Sequence, residues 1–575
     1  MYKRQIIPQV PAANRIRLRY SQLLRFITPH RNTLLLVIAL LLVVTAANLA
    51  NPLLAGKLTA VLLAEPDVAN LSAGLILGAW LLLLVIRAVF SVAGNYLVGS
   101  TGALMSAELR RRVYEHMQIL PLAWHQARKQ GDVLSLLSND AEAISRFVTN
   151  TVVQLLPQLV TLAFAFLLMA WLDPLIAGIA ALLLPLYTVI TKLIGRRIRP
   201  LSRAWIDSRS GLVAFVSENL GLLPALKAFT RESIESERFD TRNRELLEVS
   251  RKQIWLNSLL SPIVGLMAGA GALLLLWIGI GHLRDGRLQP SELVTLLLYV
   301  MLLTRPLAAL AAVYGQVMHA RGAAERLLAF FTEQPEPLGR GHIDIQRARG
   351  RIEFRDVSFA YPGRPQVLDR FSLAIDVGET IALAGPNGAG KSTLVHLLMR
   401  FMEPDSGRIM VDDQDIQEID ISSLRRQVGL VAQHTLLLNG TVTENIAYAA
   451  PDATEAQIKR AAKAARADEF IDALPDGYDT VIGDQGIRLS GGQRQRLSLA
   501  RTLLEDPPIL VFDEATAMFD PEGEREFLDN CGELLNAKTV ILITHRPIGE
   551  ELADRIIRIR SGPKGEADID PTDVA

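Results

Sequence analysis

The sequence predicts a two-part chain, an all-α membrane region followed by a soluble α/β domain, and three observations carry that expectation. Apolar runs long enough to cross a bilayer recur before residue 320 and not after it. Charge divides near the same place. Up to Arg340 there are 34 Lys/Arg against 21 Asp/Glu, and from Gly341 onward 26 against 39, so the formal net charge of zero is a cancellation. Beyond the apolar region, a complete Gly-x-x-x-x-Gly-Lys-Ser pattern stands between a strand-like and a helix-like segment.

The 575 residues allow several domains at ~150 residues each. Residues 1–32 form a basic juxtamembrane segment carrying Lys3, Arg4, Arg15, Arg17, Arg19, Arg25 and Arg31. A cleaved signal peptide is disfavoured, because the basic stretch is too long and the following apolar run continues to about Leu63. Six spanning helices are expected near 33–63, 72–99, 148–172, 174–195, 257–283 and 291–315, within a transmembrane domain of 33–332. The 100–147 and 196–256 connections are long, polar and helical in pattern, with runs such as Arg110-Arg111-Arg112. The positive-inside rule puts both, and the N-terminus, in the cytoplasm; Arg284 and Arg287 weigh the other way, but less. Helices two to five should therefore continue well past the bilayer.

Pro335, Pro337, Gly339 and Gly341 break the last helix and mark a linker over 333–349. The α/β domain is expected over 350–560, with strands at Ile352–Phe359, Thr380–Ala384 and Ile509–Phe512. A polar tail, 561–575, is expected to fray. Cys531 stands alone, so no intrachain disulfide is possible, and a small buried thiol is its plain reading.

The chemistry concentrates at Gly385-Pro386-Asn387-Gly388-Ala389-Gly390-Lys391-Ser392-Thr393. Glycines let backbone N–H groups wrap phosphate oxygens, and the following helix N-terminus adds favourable partial charge. Lys391 would reach the β- and γ-phosphates of ATP, and Ser392 would ligate Mg²⁺. Downstream, the apolar run Ile509-Leu510-Val511-Phe512 ends in Asp513-Glu514. Asp513 is placed to hold Mg²⁺ and Glu514 to polarise the attacking water as general base. Leu489-Ser490-Gly491-Gly492-Gln493 precedes a helix expected from near Arg494. A helix cap is its plain reading, and an anion site at a helix start is the functional one.

That pentapeptide resembles the signature of the ATP-binding cassette (ABC) transporter family, and the family's other marks stand in order. The resemblance covers nearly the whole chain, as an exporter-type half-transporter with an α/β P-loop nucleotide-binding domain. It implies that Tyr361 stacks on adenine, that Gln433 senses Mg²⁺ and couples to the membrane helices, and that His545 contacts the γ-phosphate beside catalytic Glu514. Asp520 falls in the dimer-interface loop. It also implies a second half-transporter chain, identical or paralogous, whose ATP would be met by this chain's signature. Gly131–Ser135 with Asn139-Asp140, and Glu218-Asn219 with Lys227–Glu232, look like the family's two cytoplasmic crossings, each tipped by a coupling helix. Two departures stand out: Ala517-Met518-Phe519 before Asp520, where the family has Ser-Ala-Leu, and Asp484 where Glu is usual. Both bear on how the two subunits communicate.

The expected function is an ATPase-coupled translocase, multi-pass in a bacterial-type cytoplasmic (inner) membrane, with its N-terminus and ATPase domain in the cytoplasm. Its partners would be membrane lipids and a transported substrate, with no nucleic acid. Lys57, Arg87 and Arg305 lie inside apolar helices, where charge is costly and usually faces a cavity or partner. Arg87 and Arg305 resemble cavity-facing basic positions of lipid-flipping relatives, which would suit an amphipathic or anionic cargo; snorkelling or internal pairing is the plainer reading. An importer of siderophores built on the exporter fold, as half of a heterodimer, is the alternative. A non-transporting channel or regulator is disfavoured by the intact Glu514 and His545. A soluble cassette ATPase of translation or DNA repair is disfavoured by the first 330 residues.

Overall fold

The computed structural model describes residues 28–65, 72–128, 130–338, 343–433, 435–483, 489–514, 538–544, 553–561 and 567–569. Some helix side chains, Arg305 among them, fall outside that description. By internal contacts the chain forms two units. One comprises Met1–Tyr114 and Gly131–Thr332, the other Glu115–Gln130 and Glu333–Ala575.

The first unit is helical. Its long helices are α1 (Arg31–Leu62), α2 (Ala73–Gln118), α4 (Gly131–Leu172), α5 (Pro174–Gly221), α7 (Glu232–Arg284) and α8 (Pro290–Phe331). Short helix α6 (Leu223–Ala228) occupies the turn after α5, and α3 (Leu122–Gln126), which belongs to the second unit, the turn after α2. Each expected span overlaps one long helix. Among the described residues, Thr28–Leu62, Ala73–Gln118, Gly131–Leu172 and Gly265–Arg284 are long and apolar enough to cross a membrane, and Pro290–Thr304 is a shorter apolar stretch. Helices α2, α5 and α7 run 46, 48 and 53 residues, roughly 70–80 Å at ~1.5 Å per residue against a ~30 Å hydrocarbon core. They are far longer than a bilayer requires, as the polar connections lead one to expect.

Several buried polar groups knit these helices together. The Glu65 carboxylate accepts from Ser291 N (3.1 Å) and Ser291 Oγ (2.5 Å), capping the start of α8. Asp173 accepts from Leu175 N and Ile176 N at the start of α5 and pairs with His282 Nδ1 at 2.5 Å. Asp140, buried, is forked by Arg326 Nε (2.9 Å) and Nη2 (2.5 Å). Fully buried Tyr299 donates its hydroxyl to Leu49 O at 2.8 Å. Helices α1 and α8 approach closely at Gly56, where a Cβ would collide with Thr295 Oγ1 and lie 3.0 Å from Ser291 O.

The second unit is built on a sheet of ten strands among the described residues, ordered β5-β4-β1-β2-β10-β9-β3-β8-β7-β6. The strands are β1 (Ile352–Ala360), β2 (Gln366–Ile375), β3 (Thr380–Ala384), β4 (Ser406–Val411), β5 (Gln414–Asp415), β6 (Val428–Val431), β7 (Ile509–Asp513), β8 (Thr539–Ile543), β9 (Arg555–Ser561) and β10 (Ala567–Ile569). Pairing is parallel from β9 through β3, β8 and β7 to β6, and antiparallel among β2, β1, β4 and β5. The helices are α9 (Lys391–Leu398), α10 (Ile421–Gln427), α11 (Val442–Ala447), α12 (Glu455–Ala464), α13 (Asp468–Asp472) and α14 (Gly491–Glu505). Along β7, Ile509 and Val511 join one buried cluster while Leu510 and Phe512 join the other. A strand covered on both faces needs such an unbroken apolar run, which is how it reads in the sequence.

Two expectations are corrected. The helix placed near Arg494 begins at Gly491, because the Ser490 side chain caps it, so the last three signature residues lie in its first turn. The polar tail is not all frayed: Ala567–Ile569 pairs with β9 and β2, drawn in by the open edge between them.

The close contact at Gly56 makes Gly56→Ala an overpacking substitution, expected to cost about 1–3 kcal/mol. Thermal unfolding in detergent should show the loss, and adding Thr295→Ala should recover part of it. An unchanged melting temperature for Gly56→Ala would show that the two helices do not approach this closely.

Candidate functional site

The phosphate loop leaves the sheet where β3 is held between β9 and β8. Its first residue, Gly385, has φ +146°, and a Cβ there would run into Ile559 O on β9. Gly388 (φ +84°) and Gly390 (φ +97°) are left-handed, and Gly390 is the N-cap of α9. Three positions thus take backbone geometry that side chains disfavour. The loop ends on the N-terminus of α9, where free N–H groups favour an anion.

Lys391, 6% exposed, lies back over the loop, donating from Nζ to Gly385 O at 2.8 Å and Pro386 O at 3.1 Å. Burial lowers its pKa, opposed by Glu514 and Asp513. Ser392 Oγ donates to Asp513 Oδ1 at 3.2 Å. Burial pushes the Asp513 carboxyl up, against that hydrogen bond, and the Glu514 charge pushes it the same way. Glu514 follows at the end of β7, with φ +50°. That left-handed backbone costs about 1–3 kcal/mol in a non-glycine residue. It is held by the Glu514 N–H bond to Ile543 O at 3.0 Å. Gln433 Nε2 donates to Glu514 Oε2 at 2.5 Å. The Tyr361 hydroxyl lies 3.1 Å from Thr393 Oγ1, and its ring meets Phe359 edge-on at 5.0 Å.

These groups surround one open cleft of about 680 Å³, lined by Tyr361, Asn387, Gly388, Gly390, Lys391, Ser392, Thr393, Gln433 and Glu514, together with residues 364–367. Residues 364–367 were not singled out from sequence; their signal is the Pro-Gly turn that follows Tyr361 directly. Ser392, Asp513 and Gln433 present oxygen donors of the kind Mg²⁺ takes.

The signature forms a reciprocal cap. Ser490 Oγ accepts from Gln493 N at 3.2 Å, and Gln493 Oε1 accepts from Ser490 N at 2.9 Å. Among the described residues, none from Leu489 to Gln493 lines the cleft. His545, Asp520, Ala517–Phe519 and Asp484 lie outside the described residues, although Thr544 ends the chain segment leaving β8. In the helical unit, Lys57 is exposed on α1 and Arg87 half-buried on α2, while Arg305 belongs to α8.

Comparison with known proteins agrees with both halves. A family model described as "ABC transporter transmembrane region" matches residues 34–307, and one described as "ABC transporter" matches residues 368–517. An ATP-dependent lipid A-core flippase of Nitrosococcus oceani is 37% identical over 462 residues, covering 79% of this chain and 76% of that one. One from Thiobacillus denitrificans is 32% identical over 550 residues, covering 94% of each chain. The mitochondrial ATP-binding cassette sub-family B member 10 of Mus musculus is 32% identical over 538 residues, covering 91% of this chain and 74% of that one. Among solved structures, a bacterial Atm1-family ABC exporter with ATP bound aligns with a TM-score of 0.80 at 28% identity, covering 93% of this chain and 95% of that one.

The raised Asp513 carboxyl has a stability consequence. A carboxyl whose pKa is higher folded than unfolded binds more protons in the folded state. Stability is therefore lost as pH rises through the ordinary carboxylate range toward the folded value. Asp513→Asn should melt higher than wild type near neutral pH in EDTA without nucleotide. The gap should close below about pH 4. A gap independent of pH would assign the effect to something other than this carboxyl.

Proposed function

This chain belongs to the ABC transporter family, as an exporter-type half-transporter whose cassette hydrolyses ATP to drive transport, and we propose that it moves an amphipathic or anionic cargo across the cytoplasmic membrane as a dimer. The observation that carries the reading is the Gln433–Glu514 hydrogen bond in the same cleft as the phosphate loop and the Ser392–Asp513 pair. It supports a reading in which the Glu514 carboxylate would stand beside a water attacking the γ-phosphate, with a neutral amide that would release it when nucleotide arrives.

In this mechanism Tyr361 stacks on the adenine and the phosphate loop N–H groups hold the phosphate chain. Lys391 moves from the loop carbonyls onto the β- and γ-phosphates. Mg²⁺, when bound, neutralises developing phosphate charge, and Ser392, Asp513 and Gln433 would hold it. Glu514 accepts the proton of the attacking water, and His545 contacts the γ-phosphate. The signature stands apart from its own chain's cleft, which supports a partner's phosphate being its ligand. Two chains, identical or paralogous, would then close around two ATP molecules and reorient the membrane helices between cytoplasmic and opposite access. The cassette and N-terminus lie on the cytoplasmic side in this reading, supported by the basic connections. The lipid A-core flippases among the relatives, with Arg87 and Arg305 in apolar helices, support a lipid-like anionic cargo.

Two outcomes test this. Glu514→Gln should lower ATP turnover by about 10²–10⁴-fold while ATP still binds, measured by steady-state hydrolysis and equilibrium binding. Near-wild-type turnover would remove Glu514 as the base. Second, Lys391→Ala and Ser490→Arg chains should each be inactive alone, and mixing them before reconstitution should restore hydrolysis from one composite site per mixed dimer. No gain on mixing two folded chains would count against the shared site.

A further inference from the structure

The linker has more contacts than a spacer requires. Glu336 sits between Pro335 and Pro337, which have no N–H and fix their own φ, so its peptide N–H is the only donor across that stretch. That N–H donates to Ile119 O at 2.8 Å, in the segment following α2. The Glu336 carboxylate receives Arg425 Nη1 (2.8 Å) and Nη2 (3.0 Å) as a two-bond fork. Three residues earlier, Glu333 pairs with Arg128 at 2.7 Å, and Arg128 lies 4.3 Å over the Trp124 ring of α3. One short stretch thus fastens the turn after α2 to the cassette.

Arg425 is the node on the cassette side. Its Nε donates to Met399 O and its Nη2 to Arg400 O, both at 3.1 Å, at the C-terminus of α9, the helix that begins at the phosphate loop. A guanidinium there meets unpaired carbonyls and the negative end of the helix dipole. Arg425 also lies on α10, which runs straight into β6 and so to Gln433. Further linker bonds fasten to the same helix: Ile345 N donates to Ser423 Oγ and Ala348 N to Gln427 Oε1, both at 2.8 Å. The linker is therefore joined to two of the elements that lead to the nucleotide cleft, α9 from the phosphate loop and α10 toward Gln433.

We propose that the Glu336–Arg425 pair is a coupling strap, through which nucleotide binding at the phosphate loop is transmitted to the turn after α2. Glu336 is a positioning residue that touches neither nucleotide nor cargo. The strap depends on the chain being an ATPase-coupled transporter, but not on which cargo it carries or which chain partners it.

Hydrogen exchange on the full-length protein in phosphatidylethanolamine–phosphatidylglycerol nanodiscs tests it, with and without Mg-ATP and vanadate. In wild type, nucleotide should slow exchange several-fold at the phosphate loop and also at residues 115–130. Glu336→Ala should keep the phosphate-loop protection and lose that at 115–130, and Glu336→Gln, which retains an acceptor, should recover part of it. Nucleotide-induced protection at 115–130 that survives Glu336→Ala, or that is absent in wild type, overturns the proposal. Parallel loss at both places in both variants would make the pair a structural brace and overturn it equally.

Discussion

Parallel pairing of β9, β3, β8, β7 and β6 is the constraint on which the nucleotide site depends. Parallel strands end on one edge of a sheet, so every loop leaving a C-terminal end emerges at the same rim. The phosphate loop leaves β3, Asp513 and Glu514 end β7, Gln433 follows β6, and Thr544 follows β8. These positions are scattered through the sequence, and register alone brings them together. Gln433 reaches Glu514 because β6 and β7 are neighbours; Ser392 reaches Asp513 across one intervening strand. The same packing sets the loop's chemistry: Ile559 O on β9 leaves no room for a side chain at Gly385. The cleft is therefore a property of the sheet, and the loops decorate it.

Much of this was legible in the sequence, for reasons that can be named. The phosphate loop carries its geometry in its glycines, and the strand at Ile509–Phe512 must be apolar at consecutive positions because both its faces are buried. The long helices were legible because hydrocarbon demands unbroken apolar runs. What was not legible is pairing at a distance. Glu65 with Ser291, Asp140 with Arg326 and Asp173 with His282 are separated by 226, 186 and 109 residues, and no local pattern announces such partners. Basic residues in apolar helices stand out in the sequence, whereas these buried acids are what knit the helices together. The signature shows a subtler limit. Its Ser and Gln do cap α14, so the plain reading and the functional one describe the same atoms.

That double use has a physical logic. A helix start with its N–H groups free binds anions well but holds its shape poorly. The reciprocal Ser490–Gln493 bonds fix the backbone while α14, with 15 residues, keeps its dipole directed out of its N-terminus. The left-handed Glu514 is a comparable case: a strained backbone is tolerated because the β7–β8 ladder continues through its N–H. Both sites hold these backbone bonds within the chain itself, so those bonds need not be formed at the expense of nucleotide-binding free energy.

Magnitudes identify which linker contact can transmit force. The Arg128–Glu333 pair is exposed on both sides, at 42% and 33%, and pairs of that kind contribute ~0–1 kcal/mol. The Arg425–Glu336 pair is exposed at 25% and 11%, is a two-bond fork, and its guanidinium is also engaged by two helix-end carbonyls. Such a contact resists displacement in more than one direction, whereas a single exposed pair merely follows its neighbours. The prolines on either side matter for the same reason. A flexible linker would absorb a shift of α9 in its own torsions, whereas a stretch with φ fixed on both sides of Glu336 would pass more of it on. Stiffness at Glu336, more than the strength of any single bond, is what would let the cassette and the turn after α2 move as one body.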